Sequence, residues 1–251
     1  MKKKIEEQQE KEIFERTTEL KEMRLRERKR KRRQKLCLHI GVCCTVMVIF
    51  FSISVVVLKA HSDVVNGQMN EETEESVKRT EKPSNYREDF LTVNPYSRPA
   101  IALEQVKGIV VHYTGNPGTT AVQNRNYFEG LAESKKTKAS SHYIIGLGGE
   151  IIQCIPLNEI SYASNDRNID TISIECCIDN EMGKFTKKTY DALIELTSWL
   201  IGQYQLDIDS VIRHYDVTGK NCPKYFVEHP SAWEDFKLDV TAYIENYGNY
   251  K

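Results

Sequence analysis

The stretch at residues 213–223, RHYDVTGKNCP, places a histidine, a lysine and a thiol within ten positions, and turn-forming Gly219 and Pro223 punctuate it. A second histidine, His112, closes the apolar run VKGIVVHYT a hundred residues upstream. Two imidazoles and one thiolate form a donor set that suits zinc, whose catalytic sites keep three protein ligands and leave a fourth position to water. Spacing alone leaves other chemistries open. Cys222 could be the nucleophile of a Cys–His peptidase, though such a thiol is activated by one histidine and the second is then unexplained. In the plainest reading His112 is a satisfied strand-end residue and His214 and Cys222 are ordinary loop residues.

These residues need elements to hold them. VKGIVVHYT is rich in β-branched residues and ends at GNPG, the pattern of a buried strand running into a turn. A helix is expected near residues 121–133. SHYIIGLGGEIIQCIP is two apolar runs joined through Gly148 and Gly149, which predicts a hairpin, and TISIECCI predicts a further strand. Over 186–204, Tyr190, Leu193, Ile194, Thr197, Leu200, Ile201 and Tyr204 recur at helical spacing. SVIRHYD returns to strand and SAWEDFKLDVTAYIENY reads as a closing helix. Strands interspersed with helices imply an α/β fold with a single mixed β-sheet flanked by helices, and sites in such sheets are built at strand ends.

The amino-terminal third differs in character. Residues 36–58, LCLHIGVCCTVMVIFFSISVVVL, contain no Asp, Glu, Lys or Arg, and a run of that length at about 1.5 Å per residue crosses a hydrocarbon core of roughly 30 Å. No small-x-small cleavage site follows, so one transmembrane helix acting as an uncleaved signal anchor is expected. Basic residues crowd the preceding segment 1–35, and only Lys59 immediately follows the run, which predicts a cytoplasmic amino terminus and an extracytoplasmic remainder. Segment 1–35 mixes Glu with Lys and Arg, which suits a solvated helix near anionic lipid, and no nucleic-acid partner is expected. Residues 59–89 are polar and lack either hydrophobic period, the composition of a flexible stalk. The remaining residues, 90–251, are expected to form a single domain. The oligomeric state is not legible.

The ordered set IVVHYTGNPG, SSHYIIG, DTISIECC and VIRHYDVTGKNCPKYF resembles the zinc-dependent N-acetylmuramoyl-L-alanine amidases of the type-2 family, which includes phage endolysins and peptidoglycan recognition proteins. The resemblance spans roughly residues 90–240. It implies that His112, His214 and Cys222 bind Zn2+, and that the domain hydrolyses the amide between N-acetylmuramic acid and the L-alanine of the stem peptide in peptidoglycan. Lys220 matches the family lysine two positions before the cysteine ligand. Where one branch has a tyrosine just before the position of His142, this chain has Ser141, so no tyrosine role carries over. The endolysin branch uses a strand glutamate instead, and Glu175 matches it.

The residue chemistry agrees with those roles. A carboxylate between Ile174 and Cys176 is costly in an apolar strand unless it is paired, and it could serve as the proton acceptor. Lys220 could set positive charge beside an oxyanion, against the plain reading of a solvated loop lysine. His142 opens the hairpin and is a candidate substrate-cleft residue, a support for the metal shell, or a satisfied strand-end residue. Asp216 and His229 are expected to be structural. Cys154, Cys176 and Cys177 read as small buried residues, with Cys176 and Cys177 on opposite faces of their strand. A non-catalytic peptidoglycan-binding sensor on the same fold is the alternative, and a complete set of three ligands plus Glu175 argues for the hydrolase.

Overall fold

The computed structural model describes residues 78–250. The expected anchor at 36–58, the basic segment 1–35 and most of the expected stalk lie outside the described residues. Among the described residues no helix is long and apolar enough to cross a membrane.

The strands are β1 (Lys78–Arg79), β2 (Tyr86–Glu88), β3 (Gly108–Tyr113), β4 (Tyr143–Ile145), β5 (Ile151–Gln153), β6 (Thr171–Cys176), β7 (Val211–Arg213) and β8 (Asn249–Tyr250). The helices are α1 (Ala121–Ser134), α2 (Lys187–Tyr204), α3 (His214–Thr218), α4 (Lys224–Glu228) and α5 (Pro230–Tyr247). Six strands form one mixed sheet in the order β2-β5-β4-β6-β3-β7, in which only β4 and β5 run antiparallel. Their hairpin turns at Gly149, where φ is +85° and an added Cβ would stand 2.9 Å from the Lys188 carbonyl oxygen, so only glycine fits.

The helices start and stop where local chemistry dictates. Thr120 caps α1 through a capping box: its hydroxyl accepts from the Gln123 N–H, and the Gln123 side chain accepts from the Thr120 N–H. Thr186 caps α2 by accepting from the Thr189 N–H, and Pro230 stands in the first turn of α5.

Strand alternation sorts side chains into two layers. Ile109, Val111, Ile172, Ile174, Tyr143 and Ile145 point to one face and pack with Leu193, Leu196 and Leu200 of α2 and Phe236 and Val240 of α5. The adjacent cysteines part as expected, Cys176 joining this layer and Cys177 the other. On the second face α1 packs Ala121, Phe128 and Leu131 over Ile144 and Ile152, which covers the β4–β5 half. Over the β6–β3–β7 half that face carries His112 and Glu175, side by side in register. The cleft forms in this half.

The boundary expected near residue 89 is corrected. β2 is an edge strand of the sheet, pairing Tyr86, Arg87 and Glu88 with Ile151, Ile152 and Gln153. The chain before it is also part of the domain: β1 pairs with β8, and at Gly202 of α2 an added Cβ would lie 3.1 Å from the Arg79 Cα. Polar composition misled here because an edge strand is hydrogen-bonded by its backbone and asks little of its side chains. A chain cut at residue 90 is therefore expected to unfold about 10 °C below one that keeps residues 78–89, which corresponds to a few kcal/mol in a domain of this size. Equal calorimetric midpoints would contradict this.

Candidate metal centre and active-site cleft

Three elements that end together build the site. His112 is the fifth residue of β3 and is 1% exposed. His214 was expected to end a strand, but the chain turns helical there and His214 is the first residue of α3. The turn follows from Asp216, whose carboxylate accepts the Arg213 N–H at 2.8 Å and pairs with the Arg213 guanidinium at 2.7 and 3.0 Å. Asp216 is thus structural, as expected, and that pairing holds its carboxyl below the usual range despite partial burial. α3 stops at Gly219, whose φ of +76° favours glycine, and the loop returns Cys222 beneath His214: the Tyr215 N–H donates to the Cys222 carbonyl at 2.9 Å.

His112, His214 and Cys222 converge, with all their ligand atoms within 4.8 Å of one another. The two Nδ1 atoms are 3.1 Å apart and Cys222 Sγ is 3.9 Å from His112 Nδ1. Tetrahedral zinc with bonds of roughly 2.0 Å to nitrogen and 2.3 Å to sulfur sets its ligands roughly 3.3–3.6 Å apart, so the donor set fits the ion. The remote ring nitrogens are already engaged. His214 Nε2 lies 3.1 Å from Asn165 Oδ1, an acceptor, so Nε2 carries the proton and Nδ1 is left with its lone pair. His112 Nε2 lies 3.1 Å from Ser164 Oγ, a hydroxyl that can accept its proton and so leave Nδ1 with its lone pair as well. Burial lowers the pKa of both imidazoles, with Lys220 adding to the effect and His214 adding to it at His112. Both are therefore neutral at pH 7, the form in which imidazole binds a metal.

Cys222 is 2% exposed, and burial pushes its thiol up to about 12, opposed by a hydrogen bond from the Tyr113 N–H and by Lys220. A thiol held in that state is a poor free nucleophile, which counts against the cysteine-peptidase reading, whereas a metal deprotonates its thiol ligands outright.

Glu175 stands beside His112 in the parallel β3–β6 register. The residue is half-buried, yet its Oε2 is inaccessible and makes no hydrogen bond, and among the described residues no ion pair reaches it. That removes the reading of Glu175 as half of a structural salt bridge. Burial raises its pKa to about 8, with Lys220 pulling the other way. A buried carboxyl with an unpartnered oxygen is costly to keep, and its place in the wall of a cleft points to a chemical role.

The cleft holds about 390 Å³ and is lined by Tyr113, Phe128, Lys138, Tyr162, Glu175 and Lys220 around the three convergent ligands. Lys220 is exposed at its rim. His142 does not line it. Its ring is fully buried, accepting the Ser173 N–H at Nδ1 (3.0 Å) and lying 2.9 Å from the Glu159 carbonyl at Nε2, so the neutral tautomer is satisfied at both nitrogens. Of the three readings open for His142, the satisfied strand-end residue is the one observed. His229 is exposed, stacked on Tyr225 with ring centroids 4.2 Å apart, and outside the cleft. Ser164 and Asn165 were missed in the sequence, because a short polar loop gives no periodic or motif signal that its side chains fasten the rings of His112 and His214.

His142 carries a prediction. Burial lowers its pKa to about 4, below its ordinary value of 6.5. The unfolded chain therefore takes the proton first, and the stability conferred by the neutral ring is full above pH 6.5 and lost as pH falls through 4. The span amounts to about 3 kcal/mol. His142→Gln is expected to flatten the pH dependence of urea unfolding between pH 6.5 and 4. An unchanged slope would exclude His142 as its source.

Residues 102–225 match the family described as N-acetylmuramoyl-L-alanine amidase. The chain is 36% identical over 171 residues to N-acetylmuramoyl-L-alanine amidase CwlL of Bacillus licheniformis, a match covering 63% of this chain and 47% of that protein. It is 33% identical over 178 residues to N-acetylmuramoyl-L-alanine amidase BlyA of Bacillus subtilis, covering 62% and 47%. The chain thus spans about half the length of the curated relatives it matches. Among solved structures, the catalytic domain of XlyA superposes with a TM-score of 0.52 at 27% identity, covering 62% of this chain and 98% of that one.

Proposed function

We propose, on the footing of the match of residues 102–225 to the N-acetylmuramoyl-L-alanine amidase family, that the chain hydrolyses the amide joining N-acetylmuramic acid to the L-alanine of the peptidoglycan stem peptide. One observation carries the proposal: the His112, His214 and Cys222 cluster opens into a cleft lined by Glu175, a carboxylate with no ion-pair partner among the described residues. His112 and His214 through Nδ1, and Cys222 through Sγ, would hold zinc. When bound, zinc supplies a Lewis acid for the carbonyl and lowers the pKa of water to about 7.

The chain's own residues supply the rest. The Glu175 carboxylate, which lines the cleft, takes a proton from the attacking water and returns it to the departing amide nitrogen. A cation in the cluster acts on the Glu175 pKa in the same direction as Lys220, towards the ionised form a base requires. Lys220, on the cleft rim, sets positive charge beside the oxygen that turns anionic in the tetrahedral transition state. Ser164 and Asn165 keep the ligand rings oriented and fix their tautomers.

The anchor at 36–58 would tether this domain to the outer face of the membrane, with the amino terminus cytoplasmic. The reaction is tested by products: digestion of purified peptidoglycan should expose new L-alanine amino groups and no new reducing sugars. New amino termini on other stem residues alone would identify a peptidase. The tether is tested by protease treatment of intact protoplasts, which should remove the domain; full protection would refute the outward topology.

A further inference from the structure

A second groove, of about 370 Å³, lies across the segment Asn165–Ile169 from the cleft, and the two cavities share Asn165 as a wall. Asn165 adopts a left-handed backbone, φ +52°, and its Oδ1 bonds His214 Nε2, so the residue that steadies a metal ligand is also the ridge between the cavities. The groove is walled by Asp166, Arg167, Asp216 and Thr218 over Ile212 and Val217. Its polar groups are largely held in place: Arg167 Nε pairs with Asp170 at 2.7 Å and Asp216 is clamped by Arg213. The Asp166 carboxylate is exposed, and among the described residues nothing pairs with it.

We propose that this groove is the glycan subsite, receiving the neutral sugar ring or rings of the strand on the muramic-acid side of the scissile amide. The inference rests on the amidase reading above and adds the direction in which the substrate lies. A bond between a glycan and a peptide must leave the metal cluster two ways. The stem peptide carries free carboxylates, which Lys138 and Lys220 in the main cleft attract and which Asp166 and Asp216 in the second groove repel. A polyol has no such charge. Carboxylates and a guanidinium already fixed by ion pairs present hydrogen-bond groups to its hydroxyls, and Ile212 and Val217 give the C–H faces of a ring an apolar floor. The volume is within the range of small-molecule sites.

Binding of peptide-free glycan to the full-length chain tests this without turnover. Neutral oligosaccharides of N-acetylglucosamine, which lack the free lactyl carboxylate of peptide-free muramic acid, are titrated into the chain, into Asp166→Ala, which removes one acceptor, and into Asp166→Trp, which fills the groove. We expect affinity to fall about tenfold for Asp166→Ala, as for the loss of a hydrogen bond to a charged group, and binding to vanish for Asp166→Trp, with metal content and thermal midpoint unchanged. Hydrolysis of polymeric peptidoglycan should fall in the same order. Unaltered glycan affinity in both variants would overturn the subsite, as would free stem peptide, rather than glycan, losing affinity. If the unmutated chain bound glycan but released no L-alanine amino groups, the amidase reading would fail while the subsite stood.

Discussion

Glu175→Gln should keep its metal and its fold while turnover on peptidoglycan falls by roughly 10²- to 10⁴-fold, the range for a lost general base. The substitution preserves shape and removes only the ability to take up a proton. Neither Asp216, already spent on Arg213, nor His142, buried away from the cleft, offers a compensating path. The same change should stabilise the metal-free domain. The Glu175 pKa is raised to about 8 from an ordinary 4.5, so the folded state binds the proton more tightly than the unfolded state. Between pH 4.5 and 8 the unfolded chain ionises this carboxyl while the fold keeps it protonated, so the folding penalty grows as pH rises through that window, and a neutral amide escapes it, by up to a few kcal/mol at pH 7. Activity lost with stability gained is the signature of a residue kept for chemistry. Loss of zinc from Glu175→Gln would make Glu175 part of the ligand shell, and near-normal turnover would remove it from catalysis.

Removal of the metal should be as severe. Cys222→Ser replaces a thiolate donor by a hydroxyl that ionises far less readily, and His112→Ala deletes a buried ligand outright. Each should take zinc from about one per chain to substoichiometric and abolish wall hydrolysis to the limit of detection. A strong chelator should do the same to the unmutated chain, and added zinc should restore it. Ser164→Ala should be intermediate, weakening metal affinity by roughly 10-fold to 100-fold because it frees only the remote nitrogen of His112. Full hydrolysis in excess chelator, with Cys222→Ser inactive, would return the thiol mechanism to first place.

Local signals in the chain were enough for the elements. The β-branched run ending at His112, the hairpin through Gly149 and the helical spacing over 186–204 each appear where periodicity placed them, because a strand or helix is specified by which face must be buried. The two faces of Cys176 and Cys177 follow from the same alternation. The donor residue types were also readable, since two imidazoles and a thiol have few common purposes.

Assembly was not readable in this way. That Glu175 sits beside His112 depends on the β3–β6 register, a pairing of strands separated by some sixty residues that no local pattern encodes. Asp216 turned the expected strand at His214 into a helix start by a hydrogen bond to the backbone, where periodicity is silent. The polar residues 78–89 proved to be a clasp and an edge strand because backbone pairing with β8 and β5 holds them, not burial of apolar side chains. Ser164 and Asn165 gain their roles only when the loop folds back over the two histidines, since a hydrogen bond to the remote nitrogen of a ring is a property of distance in space and leaves no trace in spacing along the chain.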